Sequence, residues 1–283
     1  MDHWISCWNL SVVRGGNMQY LLFRLYGPMA SWGEIAVGES RHTARYPGKS
    51  AIIGLLSAAL GIKRNNEEEQ LLMQEGYAIA VQVFSHGTLL RDYHTAQAPR
   101  SVRNTSYRSR REELVSGKAY LGTILSSREY RTDALALVSV RELPDAPHTL
   151  QTIKSHLKKP KFHLYLGRKS CPLAAPLYPQ IIEAGDYHEA FKAYEHKPMM
   201  PTGMASDGAV SHRDRYWLQV PDERYYYWQG EPSDFSVTLD LIRVQTRTRH
   251  DQPLSRDRWQ FSPRQEHYFY DAGGEVCISP ESE

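Results

Sequence analysis

Lys161-Phe162-His163-Leu164-Tyr165-Leu166-Gly167-Arg168-Lys169-Ser170-Cys171-Pro172-Leu173 carries the reading of the fold. Phe162 to Leu166 reads as a short strand, Gly167 ends it, and Pro172 closes the segment. A glycine turn lets backbone N–H groups converge on an anion, because glycine tolerates the backbone angles a concave turn needs. Arg168, Lys169 and Ser170 add two cations and a hydroxyl, which makes a seat for phosphate. From Lys154 to Lys169 there are six Lys or Arg and no acid, although the whole chain carries only +2. Positive charge is therefore concentrated locally.

Upstream elements give that strand its place. Tyr20 to Tyr26 reads as a buried strand ended by Gly27-Pro28. Lys49 to Ile62 reads as a helix, with Ile52, Ile53, Leu55, Leu56, Ala59 and Leu60 at helical spacing and Gly61 at its end. Gly54, Ser57 and Ala58 would allow it to pack closely on a sheet. Glu67 to Glu69 fits a solvated helix start. Gly76 to Ser85 and Ala134 to Arg141 read as strands, and Pro147 to Lys158 as a helix. Strand, helix, strand, strand, helix, strand is the ferredoxin-like order, completed by Phe162–Leu166 or a later strand. The fold class is α+β.

A long insertion, 88–130, interrupts that order, and connections of this length are usually functional or disordered. Arg100, Arg103, Arg108, Arg110 and Arg111 fall in a stretch without acids, with Tyr93, His94 and Tyr107 interleaved or nearby. Leu89–Thr95 is expected to pair with Lys118–Leu125 as a protruding two-stranded ribbon. Guanidinium groups grip phosphate, and aromatic rings offer faces to unpaired bases.

The domain reading is an extension at 1–17, a core at 18–171 that includes the insertion, and a smaller β-rich part at 172–283. In the last part Asp186 to Tyr194 looks helical, Pro198 to His212 looks like a loop, and Phe235 to Val244 alternates as a strand. The tail beyond Asp271 is expected to fray. Met1 to Asn17 reads as a non-core extension or the product of an over-long gene start.

Composition is that of a soluble globular protein, 41% hydrophobic and 23% charged. No apolar run approaches the roughly 20 residues of a membrane span. Cys7, Cys171 and Cys277 are too few and too far apart for a disulfide framework or a zinc site, which fits a reducing cytoplasm.

A second basic constellation is Arg41-His42-Thr43-Ala44-Arg45-Tyr46-Pro47-Gly48-Lys49-Ser50. Lys49 and Ser50 fall at the start of the first helix, where free N–H groups and the helix dipole favour an anion. Ser50 as an ordinary helix cap is the plainer alternative. Gly48-Lys49-Ser50 resembles the end of a phosphate-binding loop, but threonine stands where its first glycine is required. His94, with Tyr93 and His42, gives a possible general base for a metal-independent ribonuclease. No HExxH, paired Cys-x-x-Cys or carboxylate cluster calls for a metal, and no cofactor is expected.

Several of these segments together resemble a known family. Leu25-Tyr26-Gly27-Pro28-Met29-Ala30-Ser31-Trp32-Gly33 resembles the opening strand and turn of the fifth CRISPR-associated protein family, as found in type I-E Cascade. Arg45–Ser50, Gly54-Leu55-Leu56 and Leu60-Gly61-Ile62 look like its first helix. Arg91-Asp92-Tyr93-His94-Thr95 matches the base of its thumb. Lys159-Pro160-Lys161 with Tyr165–Leu173 matches its most specific motif, except that Lys169 stands where a second arginine is usual. The resemblance covers about 18–195.

It implies a repeat-associated mysterious protein with a ferredoxin-like core related to the RNA recognition motif, and a basic hairpin thumb. Such subunits hold the 5′ handle of CRISPR RNA without cutting it and cap a filament of backbone subunits, next to a large subunit. Target DNA is met only as part of the complex. The handle phosphates would then be held by Arg45, Lys49, Ser50, Gly167, Arg168, Lys169 and Ser170. Tyr46, Tyr93 and Tyr165 would stack on bases. Arg91, His94, Arg100, Arg103, Tyr107, Arg108, Arg110 and Arg111 would face the guide from the thumb. In a related subtype the family cuts precursor RNA, so the ribonuclease reading stays as the alternative.

Overall fold

The computed structural model describes residues 17–34, 36, 38–99, 106–116, 118–199, 220–236, 243–255 and 260–273. Its elements run β1 (Met18–Tyr26), β2 (Met29–Ala30), β3 (Ser40–Arg41), α1 (Lys49–Leu60), α2 (Glu67–Glu75), β4 (Tyr77–Ser85), β5 (Thr88–Pro99) and α3 (Arg110–Ser116). After these come β6 (Leu121–Thr132), β7 (Leu135–Glu142), α4 (Leu150–Lys158), β8 (Gln180–Ala184), α5 (Tyr187–Ala193), β9 (Arg224–Trp228), β10 (Gln245–Ser255) and β11 (Gln260–Asp271).

β1 is apolar over Tyr20–Phe23 and buried through Leu25 because both of its faces are covered. It pairs antiparallel with β7 (Phe23 opposite Val138) and with β8 (Tyr20 opposite Ile182). Leu21, Phe23 and Leu25 pack with α1 and α4 on one face, while Tyr20 and Leu22 pack with Tyr187 and Phe191 of α5 on the other. The full sheet has seven strands in the order β10-β11-β9-β4-β7-β1-β8. Each pairing within it is antiparallel.

The helices end where local chemistry dictates. Gly48 occupies the N-cap of α1, and Gly61 turns left-handed at its end (φ 83°), donating to Ala58. Ile52, Ile53, Leu56 and Ala59 of α1 are essentially inaccessible, each large one contributing about 1.5–3 kcal/mol by burial. Asn66 caps α2 by accepting from the Glu69 N–H, with Glu67, Glu68 and Glu69 in its first turn, as a solvated start requires. Thr149 caps α4, which buries Leu150, Ile153 and Leu157 along one stripe. Among the described residues no helix is long and apolar enough to cross a membrane.

Three expectations need correction. Phe162–Leu166 is not a strand. The Lys161 and Phe162 N–H groups donate to Ala59 and Ala58 at the end of α1, so the segment caps that helix, and β8 is the strand that follows α4. The ribbon exists, but Leu89–Thr95 pairs with Leu125–Arg131, not with Lys118–Leu125. α3 and a short helical turn at Lys118–Tyr120 occupy the tip, and the arms extend to Pro99 opposite Leu121. Ser50 is not the cap of α1, since Gly48 takes that position. Among the described residues, the strands after residue 172 join the same sheet as β1 and β4. β8 joins the far side of β1, and β9 joins β4 and carries β11 and β10 outward.

β9 to β11 escape the sequence patterns used above. Phe235 follows a short helical turn at Pro232–Asp234, and 237–242 of the expected Phe235–Val244 strand lie outside the described residues. So do 1–16, nearly all of the loop expected from Pro198, and the tail from 274.

Candidate nucleic-acid interface

The turn at Tyr165–Pro172 is closed by its own backbone. Leu166 N–H donates to Cys171 O (2.8 Å) and Cys171 N–H donates to Arg168 O (2.9 Å). Gly167 sits at φ 84°, and a Cβ there would overlap the Ser31 carbonyl. Only glycine allows both the left-handed angle and the close approach. Ser31 N–H in turn donates to Leu166 O (3.0 Å), docking the turn on the segment after β2. Arg168 reaches across: its Nη2 donates to the Arg41 carbonyl (3.2 Å), and its guanidinium lies 5.0 Å from the Tyr130 ring centre. Lys169 and Ser170 are exposed. Cys171 is fully buried, and burial pushes its thiol pKa up against the pull of Ser170 and Arg168, so its role is packing.

The base of the ribbon meets this turn. Ser31 Oγ donates to the Glu129 carbonyl (3.0 Å). The Glu129 carboxylate accepts from Arg91 Nη2 (2.8 Å) and Thr43 N–H (3.4 Å), with His42 Nδ1 at 3.3 Å. Burial pushes the Glu129 pKa up, but Arg91, His42 and Thr43 together hold it below the ordinary value. Arg91 and His42 remain mostly exposed while tethered to this carboxylate. Tyr93 is 62% exposed. His94 Nε2 lies 2.5 Å from Asp92 Oδ2. Arg45 is exposed beside this cluster, its carbonyl 3.2 Å from His86 Nδ1. The fold therefore brings together Arg45, Arg91, Arg168 and His42, with Lys169 and Ser170 on the same turn. Tyr165 is exposed at the mouth of that turn.

Two expected members lie elsewhere. Tyr46 is buried and stacked on Tyr227 (3.7 Å, 1°), its hydroxyl donating to Glu266 and accepting from Arg247. Burial and Glu266 drive its pKa far up. Its ring is not available to a base. Lys49 is buried as well, and the start of α1 already holds an anion. Asp251 Oδ2 accepts from the Lys49 N–H (3.1 Å), and a Cβ on Gly48 would overlap that oxygen. Asp251 also accepts from Arg264 Nε (2.5 Å) and Nη2 (2.9 Å), and Arg264 reaches Glu266 (2.8 Å). Burial and the Arg264 charge lower the Lys49 pKa to about 8, against the pull of Asp251 and Glu75. The helix terminus is thus an internal clamp, and Ser50 beside it is half-buried.

Sequence reasoning missed that clamp. Its signal was present as alternating charges at Arg247, Arg249 and Asp251, facing Arg264 and Glu266 across β10–β11.

Of the ribbon arginines, Arg100 and Arg103 lie outside the described residues. Arg110 is tied to the Gln97 carbonyl and to Glu113 (2.6 Å), and Arg108 N–H donates to Glu112 (2.8 Å). The next two acids after the basic run thus fold back on it. Arg108 and Arg111 are exposed, and Tyr107 is half-buried. Among the described residues no group of three or more His, Cys, Asp or Glu is placed to hold a metal ion.

Over residues 20–266 the chain matches the family described as CRISPR-associated protein (Cas_Cas5). The CRISPR system Cascade subunit CasD of Escherichia coli (strain K12) is 34% identical over 184 residues, 62% of this chain and 77% of that protein. Among solved structures, a chain of a CRISPR RNA-guided surveillance complex aligns with a TM-score of 0.56 at 23% identity, covering 90% of this chain and 89% of that one. That likeness is one of fold.

Proposed function

The chain belongs to the CRISPR-associated Cas5 family, and from that premise we propose that it is a non-catalytic, RNA-binding subunit of a Cascade-type complex. It holds the 5′ handle of the guide RNA and caps the backbone filament in the cytoplasm, beside the backbone subunits and a large subunit. The order β1-α1-β4-β7-α4-β8 and the strand arrangement β4-β7-β1-β8 support a ferredoxin-like core. The β5–β6 ribbon is the thumb, lying against the guide and the neighbouring backbone subunit.

One observation carries the handle assignment. The Gly167 turn docks on Ser31, Arg168 reaches Arg41, and Glu129 tethers Arg91 and His42. Three sequence-distant basic segments thereby share one surface. Phosphates are taken by Arg45, Arg91, Lys169, Ser170 and the turn backbone, with Arg168 also fixing the turn. Tyr93 and Tyr165 are the exposed rings on which handle bases stack.

Reconstitution of the complex with Arg168→Ala plus Lys169→Ala tests this. Guide retention is expected to fall, and the slope of log affinity against log salt to flatten by about 1.4 for two lost phosphate contacts on a single strand. Unchanged retention and slope would remove the handle seat. Deleting 99–111 tests the thumb: normal docking of the adjacent backbone subunit would refute it.

A second reading is favoured by the Asp92–His94 pair, which orients an imidazole on an exposed strand. It is a metal-independent endoribonuclease acting on repeat RNA. Specific cleavage by the purified chain in EDTA, abolished by His94→Ala, would establish it over the first.

A further inference from the structure

The sheet face that carries α1 continues beyond it as a row of rings. Tyr225 and Tyr227 of β9 stand opposite Tyr270 and Tyr268 of β11, and the side-chain period of two puts all four on the same face. Tyr227 sits 5.1 Å from Tyr268 (24°), Tyr268 lies 6.4 Å from Tyr225 (19°), and Tyr225 lies 5.0 Å from Tyr270. The inner end is buried under Tyr46. The outer three, Tyr225, Tyr268 and Tyr270, are half-buried.

Cations edge this outer end, together with the Glu223 carboxylate, which accepts from the Tyr225 hydroxyl (3.1 Å). Arg45 interacts electrostatically with Arg131, His86 and Tyr268. Two like charges placed together favour an anion between them. The His86 ring is 4.5 Å from Tyr225, and its Nδ1 faces the Arg45 carbonyl. A carbonyl only accepts, so Nδ1 carries the proton. Burial, with Arg45 and Arg131, lowers the ring's pKa against the hydrogen bond to the Arg45 carbonyl, and in the neutral Nδ1–H form Nε2 is an acceptor. Among the described residues neither His86 Nε2 nor Arg131 Nε has a hydrogen-bond partner, although both are buried. Buried polar atoms are rarely left this way. Two cations and a row of half-buried rings match what a nucleotide carries: a phosphate and a flat base.

We infer that Tyr225, Tyr268 and Tyr270, with Arg45, Arg131 and His86, form a stacking site for one or two unpaired bases of single-stranded RNA. The inference rests on the RNA-binding reading above and extends it, because Arg45 joins this platform to the handle seat. It also replaces the stacking role that burial denies to Tyr46.

The test uses the full chain and an eight-nucleotide oligouridylate with a central 2-aminopurine, whose fluorescence is quenched by stacking. Tyr225→Ala, Tyr268→Ala and Tyr270→Ala are expected to relieve quenching and weaken binding by about 5- to 150-fold each. Tyr225→Phe and Tyr268→Phe keep the ring and should bind within about twofold of the original. Tyr270→Ala, at the outer end of the row, and circular dichroism of every variant separate lost stacking from lost folding. Folded alanine variants with unchanged affinity and quenching would overturn the platform. If Arg168→Ala plus Lys169→Ala then weakened binding, the handle reading would survive alone. An original chain that binds no RNA would overturn both. Alanine variants that bind RNA normally but fail to assemble with neighbouring subunits would assign the rings to protein contact and also overturn it.

Discussion

Asp251→Ala is the most informative single change, because it separates an internal clamp from an open phosphate seat at the start of α1. The Asp251 carboxylate takes two bonds from Arg264 and one from the Lys49 N–H. Burial raises its pKa, but Arg264 and Arg249 overcome this and hold it below the ordinary value. Removing one partner of a buried pair typically costs about 3–5 kcal/mol. Arg264 retains Glu266 at 2.8 Å, which places the loss near the lower end, about 3 kcal/mol. Losing an anion at a helix N-terminus adds about 0.3–1 kcal/mol. Asp251→Asn keeps an acceptor for Lys49 and loses only charge, so about 1–2 kcal/mol is expected. Denaturant unfolding followed by far-ultraviolet circular dichroism and by tryptophan fluorescence measures both, provided the two transitions coincide. RNA affinity should not change in either variant. A loss below about 1 kcal/mol for Asp251→Ala, or tighter RNA binding once the carboxylate is gone, would refute the clamp.

Lys49 should write itself into the pH dependence of stability. Its folded pKa of about 8 lies below the ordinary 10.5, so the unfolded chain holds more protons between those values and stability rises with pH there. The gain is about 2 kcal/mol from pH 8 to pH 10, and it is lost as pH falls through 8. Above pH 10 the buried tyrosines oppose it, since Tyr77 and Tyr194 are raised to about 12. Unfolding curves across this range check the slope, which Lys49→Met should flatten; an unaltered slope would contradict it. Gly167→Ala forces a left-handed Cβ into the Ser31 carbonyl, so at least about 2 kcal/mol of stability should be lost along with guide retention. A variant that melts and binds normally would disprove the turn geometry. Tyr46→Phe leaves Glu266 and Arg247 short of a partner and should cost about 1–3 kcal/mol without altering RNA affinity. Weaker RNA binding in a fully folded Tyr46→Phe would return that ring to the interface.

The legible parts of the sequence were those whose local chemistry and tertiary surroundings agree. β1 shows a continuous apolar run because β7 and β8 flank it and helices cover both faces. α1 and α5 carry their end signals in Gly61 and Asp186. The Gly167 turn was legible because the backbone angle and the close approach both demand glycine. Other parts were hidden by partners far away in the chain. Phe162–Leu166 reads as a strand, but the carbonyls at the end of α1 claim its first N–H groups. Arg45–Ser50 reads as an anion seat, and it is one, but the anion is Asp251, 202 residues along. β10 and β11 look like surface because Arg249, Asp251, Arg264 and Glu266 are charged, yet they neutralise each other away from solvent. A pattern of apolar residues cannot distinguish ions paired inside from ions solvated outside.

The handle seat itself is open to direct measurement. A reconstituted complex carrying 4-thiouridine at single positions of the guide's 5′ handle can be irradiated, digested and mapped by mass spectrometry. Cross-links should fall on the turn at 165–170 and on the ribbon base around Arg91 and Tyr93, and should be absent from Tyr46 and Lys49. Handle cross-links confined to other subunits, or to the start of α1, would contradict the account.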